Sequence, residues 1–221
     1  MDDKKICFIM CVNDAALMDE AIYYLNRLKV PEGYVTDLLT IEGAPSMAEG
    51  YNEGMRSSDA RYKIYLHQDV FIIDRRFLHR IIEIFKDETI GMIGPVGYKK
   101  LPKNGIQVTA DITGAYITND LFSTKSKCNT SKAENCIDVK SIDGFLMATQ
   151  YDLPWREDIF KDWDFYDVSQ SFEFRKKGYR VVVPAVDKPG VIHYDGLLNM
   201  KDYYKNRRLF LENYGDTYQL F

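Results

Sequence analysis

Apolar residues recur along this chain in two alternating rhythms. Residues 5–12 read Lys-Ile-Cys-Phe-Ile-Met-Cys-Val, a nearly continuous apolar run of the kind a central parallel strand carries when both its faces are covered. Asn13 and Asp14 follow, and either can cap a helix beginning near Ala15. In that helix Leu17, Ala21, Tyr24, Leu25 and Leu28 share one face at helical spacing. Pro31-Glu32-Gly33 forms a turn, and residues 35–41 make a second strand ending in Glu42-Gly43. Ser46-Met47-Ala48-Glu49 has the capping-box pattern and opens a helix carrying Tyr51, Asn52 and Met55. Over 62–70, Tyr62, Ile64 and Leu66 alternate with Lys63, Tyr65 and His67, which predicts a strand ending in the polar run His67-Gln68-Asp69. Asp74 is placed to cap a helix through Phe85 with Phe77, Leu78, Ile81, Ile82 and Phe85 as its stripe, and 90–93 is a short strand. Strand and helix alternate throughout this half, the pattern of an α/β doubly wound parallel sheet with helices on both faces.

The regularity fades from 98 to 135, where Lys, Asn, Thr, Ser and Gly dominate around one weak strand signal at 106–109. Order returns over 137–149, where Ile142-Asp143-Gly144-Phe145-Leu146-Met147 reads as a strand approaching a site. A helix over 168–177 is closed by Gly178 as its C′ residue, and a strand over 179–183 is closed by Pro184. Val191-Ile192-His193-Tyr194-Asp195-Gly196 is a short strand leading into a loop, and residues 200–214 form a last helix rich in Tyr and Arg. One domain is expected, in two ordered halves (1–97 and 137–221) around a variable region at 98–136.

Composition narrows the class. With 221 residues, 46% hydrophobic and 28% charged, the chain has the balance of an ordinary soluble domain with a real core. Its net charge of −4 and the lack of a Lys/Arg stripe leave no footprint for nucleic acid. The apolar run after Met-Asp-Asp-Lys-Lys is too short to span a membrane and lacks the layout of a secretory signal, so a cytoplasmic protein is expected. Cys7 and Cys11, four apart in a strand, stand roughly 13 Å apart, beyond disulfide reach. Cys128 and Cys136 could pair, but without CxxC spacing four reduced thiols are expected.

Candidate chemistry gathers at strand ends. In open α/β sheets ligands sit at the carboxyl ends of strands, and Asp69 at such an end can hold a hard divalent cation that would neutralise a diphosphate. The first strand runs into Val12-Asn13-Asp14-Ala15 without a glycine, so the phosphate-cradling turn of a dinucleotide-binding fold is missing, as is a P-loop. A nucleotide bound here needs another way to handle its phosphates.

Three segments then resemble one family. Residues 46–69 are similar to the stretch running from an Asn-x-Gly helix to the metal-binding DxD of the family 2 glycosyltransferases of the GT-A fold, in particular their small bacterial glycosyltransferase-like branch. Residues 142–180 resemble that family's acceptor-side block, through Asp143-Gly144-Phe145, Phe160-Lys161-Asp162 and Phe165-Tyr166-Asp167-Val168. Residues 191–196 resemble its late histidine segment. The resemblance implies a GT-A fold with a mostly parallel central sheet, 1–97 as the nucleotide-sugar-binding half and 137–221 as the acceptor-side half.

Site roles follow from the same resemblance. Asn13, Glu42, Asn52 and Gln68 would contact the donor nucleotide, UDP-sugar being favoured. Asp69, with His67 and His193, would hold Mn2+ or Mg2+. Asp167 would be the general base of an inverting transfer, with Asp164 as the fallback three residues earlier; a helix cap is the structural alternative for Asp167. Asp143, Gly144, Trp155, Trp163 and Asp164 would line the acceptor, a glycan or a lipid-linked intermediate that would bring the enzyme to a membrane without embedding it. The chain departs from the family pattern where His67 replaces the first Asp of DxD and Tyr166 replaces the usual Glu before the base. It has no QxxRW motif, which favours single addition over processive synthesis. The rival reading is a binding protein of the same fold that has lost turnover; a nucleotidyltransferase would need a Gly-rich basic loop after the first strand.

Overall fold

The computed structural model describes residues 1–106, 111–119, 123–130, 135–194 and 200–220, with side chains up to 215. In chain order the first elements are β1 (Asp2–Val12), α1 (Ala15–Leu25), β2 (Val35–Glu42), α2 (Met47–Ser57), β3 (Ala60–His67) and β4 (Val70–Ile72). Then come α3 (Phe77–Ile84), β5 (Ile90–Ile93), β6 (Val96–Tyr98), β7 (Ile112–Asn119), β8 (Thr124–Asn129) and β9 (Cys136–Asp138). The chain continues with β10 (Ser141–Ile142), β11 (Leu146–Thr149), α4 (Tyr166–Lys176), β12 (Arg180–Pro184), β13 (Val191–Tyr194) and α5 (Tyr203–Leu220).

β1 is apolar on both faces because both faces are covered. Ile6, Phe8, Met10 and Val12 enter a cluster with Ala21 of α1 and Phe77, Leu78 and Ile81 of α3. Cys7, Ile9 and Cys11 point the other way, into a cluster with Met47, Tyr51 and Met55 of α2 and Tyr166 and Phe174 of α4. A third cluster seats α5, through Tyr203, Phe210 and Tyr214, on Phe160, Phe165 and Phe172. α2 lies so close to β1 that a Cβ at Gly50 would strike the Cys11 sulfur and one at Gly54 the Ile9 side chain.

The main sheet has the order β2-β1-β3-β11-β5-β12-β9, and its pairing is mixed rather than mostly parallel. β1 is parallel to β2 and β3, and β5 to β12, but β11 is antiparallel to both β3 and β5, and β9 to β12. The inserted β11 starts at the carboxyl end of β3, where Leu146 faces Leu66 and the His67 N–H donates to Phe145 O at 3.0 Å. This reversal carries the 143–145 loop to the edge where β3 ends.

A second sheet runs β10-β6-β7-β13-β4, with β8 on β7. The expected strand over 62–70 is therefore two: β3 ends at His67, and after Gln68-Asp69 the chain enters the second sheet as β4. Part of the irregular 98–136 region is regular, in the antiparallel β6–β7–β8 array. The strand signal at 106–109 lies, from residue 107 on, outside the described residues, as do Asp195 and Gly196. Asp14 is the α1 cap, accepting from the Ala16 and Leu17 N–H groups. Asp74 does not cap α3; it accepts from Arg76 N and pairs with Arg80 at 2.7 Å, and Arg76 holds the cap position. All four cysteines are free thiols. Among the described residues no helix is long and apolar enough to cross a membrane.

Lys63, on β3, is wholly buried, and its ammonium is held by Asp152 at 2.8 and 3.0 Å and by Ala60 O at 2.7 Å. Asp152 keeps 29% of its side chain exposed, so removing it strands the lysine while removing the lysine leaves a carboxylate that water can reach. Asp152→Ala should therefore cost about 3 kcal/mol of unfolding free energy, and Lys63→Met clearly less. Urea denaturation of the two variants checks this order.

Candidate active site

The carboxyl ends of the parallel strands meet at one edge. Register places Val12 beside Glu42 and Cys11 beside His67, so Asn13, Glu42 and His67-Gln68-Asp69 line up at the ends of β1, β2 and β3. Gln68 ties two of these ends together. Its Oε1 accepts from the N–H groups of Asn13 and Asp14 at 2.8 and 2.9 Å, and its Nε2 donates to Asn13 Oδ1 at 2.5 Å. Glu42 is exposed at the end of β2.

Asp69 begins the crossing between sheets, and β13 comes back to it: Tyr194 N donates to Asp69 O at 2.9 Å, and His193 is in register with Val70. The Asp69 Oδ1 then lies 3.9 Å from His67 Nδ1 and 3.7 Å from His193 Nε2. One ligand atom from each of the three residues fits within 4.8 Å. Ligands about 2.1 Å from a divalent ion stand roughly 3 to 4.2 Å from one another, and both spacings to Asp69 fall in that range. Burial, and then the neighbouring His193, push the His67 imidazole down to about 3, which keeps it neutral and able to ligate. The Phe145 ring stacks on His193 at 4.8 Å and 17°, fixing that imidazole.

The residues expected on the acceptor side adjoin this triad. α4 opens with Phe165 in the left-handed region (φ 63°), and Tyr166 and Asp167 form its first turn. Asp167 is therefore inside the helix and not its cap. The Tyr166 hydroxyl lies 2.5 Å from His67 Nε2. A Cβ at Gly144 would strike that phenol and the Asp167 side chain, so only glycine lets the loop approach. Asp143 is anchored by its N–H to Val96 O at 3.0 Å and accepts from Tyr98 Oη at 2.9 Å. Burial, then the Asp143 charge, raise the Asp167 carboxyl to about 7 against opposing backbone hydrogen bonds. Asp164 is raised to about 6 by burial and by Asp202 and Asp162.

Two expected site residues are taken up elsewhere. The Asn52 side chain is fully buried and clamps the chain before α4: it accepts from Trp155 N at 2.9 Å and donates to Trp155 O at 2.9 Å and Glu157 Oε2 at 2.6 Å. Trp155 itself is core, 2% exposed and packed on Tyr51 and Tyr65 at 5.0 and 4.9 Å. Trp163, by contrast, is 49% exposed. Sequence reasoning missed Tyr166, Phe145 and Tyr98 as organisers of the site; the first was noted there only as a lost carboxylate.

Fold and triad together define a GT-A-like α/β protein with a candidate metal-binding cluster. The chain belongs to the Glycosyltransferase like family, which it matches over residues 7–214. No curated protein matches it significantly. A mannosyltransferase from Pyrobaculum calidifontis, in complex with GDP-Man and Mn2+, superposes with a TM-score of 0.56 at 13% identity, over 93% of this chain and 60% of that one. GalNAc-T7, with UDP, GalNAc and Mn2+, gives 0.64 at 13% identity over 99% and 49%. S. aureus TarS 1-349 in complex with UDP gives 0.56 at 10% identity over 93% and 64%. The chain thus spans about half to two thirds of these structures, and at such identities the likeness establishes the fold.

The raised carboxyls have a consequence for stability. Between an unfolded Asp value of about 3.9 and a folded value of about 7, the native state keeps a proton that the unfolded chain releases. Native protein binds more protons in that window, so stability falls as pH rises through it. Asp167→Asn should flatten this slope, raising Tm at pH 8 more than at pH 4; thermal melts across the range check it.

Proposed function

We propose that the protein is an inverting, metal-dependent glycosyltransferase that moves a single sugar from a nucleoside diphosphate donor to an acceptor hydroxyl. The observation that carries this reading is the placement of a His/Asp/His ligand set and the Asp167 carboxyl, which burial and Asp143 raise to about 7, on either side of one buried tyrosine. Asp167 takes the proton from the acceptor hydroxyl as that oxygen attacks the anomeric carbon and the bond to the diphosphate breaks on the opposite face. A base poised near neutral pH accepts the proton readily and is available in its ionised form. A divalent cation, once bound by Asp69, His67 and His193, would neutralise the charge that develops on the leaving diphosphate. Two imidazoles in the set favour Mn2+ over the harder Mg2+.

Asn13 and Glu42, at the ends of β1 and β2, would contact the nucleoside of the donor, for which UDP-sugar is our first choice. Gln68 fixes the turn that presents Asn13, and Asn52 and Trp155 support the acceptor side from behind. Asp143, Gly144, Trp163 and Asp164 would line the acceptor, with the exposed Trp163 indole offering a face to a sugar ring. The acceptor class we favour is a growing surface glycan or a lipid-linked intermediate. Lys201, Tyr204 and Arg208, exposed on and beside α5, would suit contact with the cytoplasmic face of a membrane.

Titration calorimetry with UDP and GDP, each with and without Mn2+, should show metal-dependent binding of one nucleotide that Asp69→Ala abolishes. Failure of both nucleotides with any metal sinks the reading. Asp167→Asn should keep that binding and lose transfer by about 10²–10⁴-fold. A wild type that binds donor but neither transfers nor hydrolyses it is instead the binding-only protein. Removing the negative charge with Asp143→Asn makes Asp167 easier to ionise, so the acid limb of kcat/KM should move to lower pH.

A further inference from the structure

The joint between the two halves of this site is a phenol. His67 Nδ1 faces Asp69, 3.9 Å from Oδ1, while Nε2 faces Tyr166 Oη at 2.5 Å. A neutral imidazole carries one N–H, and the nitrogen that ligates a metal must be the bare one. If Nδ1 joins Asp69 and His193, the proton belongs on Nε2, where the Tyr166 oxygen stands to accept it.

The Tyr166 ring is fixed without help from its hydroxyl. It packs on Tyr51 at 5.8 Å and on Trp155 at 6.1 Å, and Gly144 leaves room for it alone. Phe165, just before α4, is in the left-handed region, and Tyr166 is buried in the cluster with Cys11 and Tyr65 of the main sheet. Tyr51 provides an internal contrast: it is as deeply buried in the same cluster, yet its hydroxyl has no hydrogen-bond partner among the described residues.

We propose that Tyr166 is a positioning residue that presets the His67 tautomer for ligation through Nδ1 and ties that ligand to the base, Asp167, one residue further along α4. This rests on the reading of His67, Asp69 and His193 as a metal site. It explains why a tyrosine stands beside the base: the histidine at the end of β3 needs an acceptor for its outer N–H, as metal-bound histidines generally do. A carboxylate in that place would add a negative charge next to Asp167 and Asp143.

The test is Tyr166→Phe, which keeps the ring, with Tyr51→Phe as the matched control and Gly144→Ala as a second way to displace the phenol. Imidazole ¹⁵N NMR of the metal-free protein should find His67 as a single Nε2–H tautomer in wild type and Tyr51→Phe. Tyr166→Phe and Gly144→Ala should lose that single state. Manganese EPR should show Mn2+ affinity about 10–100-fold weaker in Tyr166→Phe and unchanged in Tyr51→Phe. At saturating Mn2+, UDP binding by Tyr166→Phe should return to the wild-type level. Equal Mn2+ affinity and an unchanged tautomer in Tyr166→Phe overturn the role of Tyr166 while leaving the metal site intact. A wild type that binds no Mn2+ overturns the metal-site reading and this role with it.

Discussion

A carboxylate held between two imidazoles at a strand end is the constraint on which the rest of this site depends. Asp69 is three-quarters buried, and a carboxylate so placed is stable only with partners around it. The two imidazoles beside it come from two sheets. His67 closes β3 in the main sheet, and His193 arrives on β13 of the second, locked to the Asp69 backbone through Tyr194. The turn from β3 into β4 is therefore both the hinge between layers and the place where ligand atoms converge.

The antiparallel β11 is what joins this centre to Asp143, Gly144 and the start of α4. Because it starts opposite the end of β3, the Asp143-Gly144-Phe145 loop lands where Phe145 can stack on His193 and Gly144 can lie against Tyr166 and Asp167. An all-parallel sheet would leave that loop at the opposite edge. The mixed pairing and the chemistry are thus one feature. Asn52 and the Trp155 core brace the chain entering α4 from the other side, so Asp167 sits on a helix anchored at its start.

Local pattern made the first half of the chain legible. β1, α1, β2 and α2 were readable because their apolar periodicities and the Asp14 and Ser46 caps act within a few residues. His67 and Asp69 were found as polar heads at a strand end, and His193 came from the family resemblance. What sequence did not disclose depends on distant partners. The apolar Val70–Ile72 run prolonged the expected strand past His67, since nothing local says that it belongs to another sheet. Asn52 looked like a ligand-facing amide, but its partners are 103 and 105 residues away. Tyr166 read as a lost carboxylate because its value lies in a hydrogen bond to a residue 99 positions earlier. The family resemblance, carried by spacing across 46–69, 142–180 and 191–196, supplied the fold that periodicity alone left as a generic α/β sheet.

The proposed site requires one divalent ion between the two sheets at the end of β3. Anomalous diffraction from crystals grown with Mn2+ and UDP tests it most directly. The account predicts one manganese peak bonded to Asp69, His67 Nδ1 and His193 Nε2, with the diphosphate oxygens completing its shell. Bound nucleotide with manganese elsewhere, or with none in the triad, would contradict it.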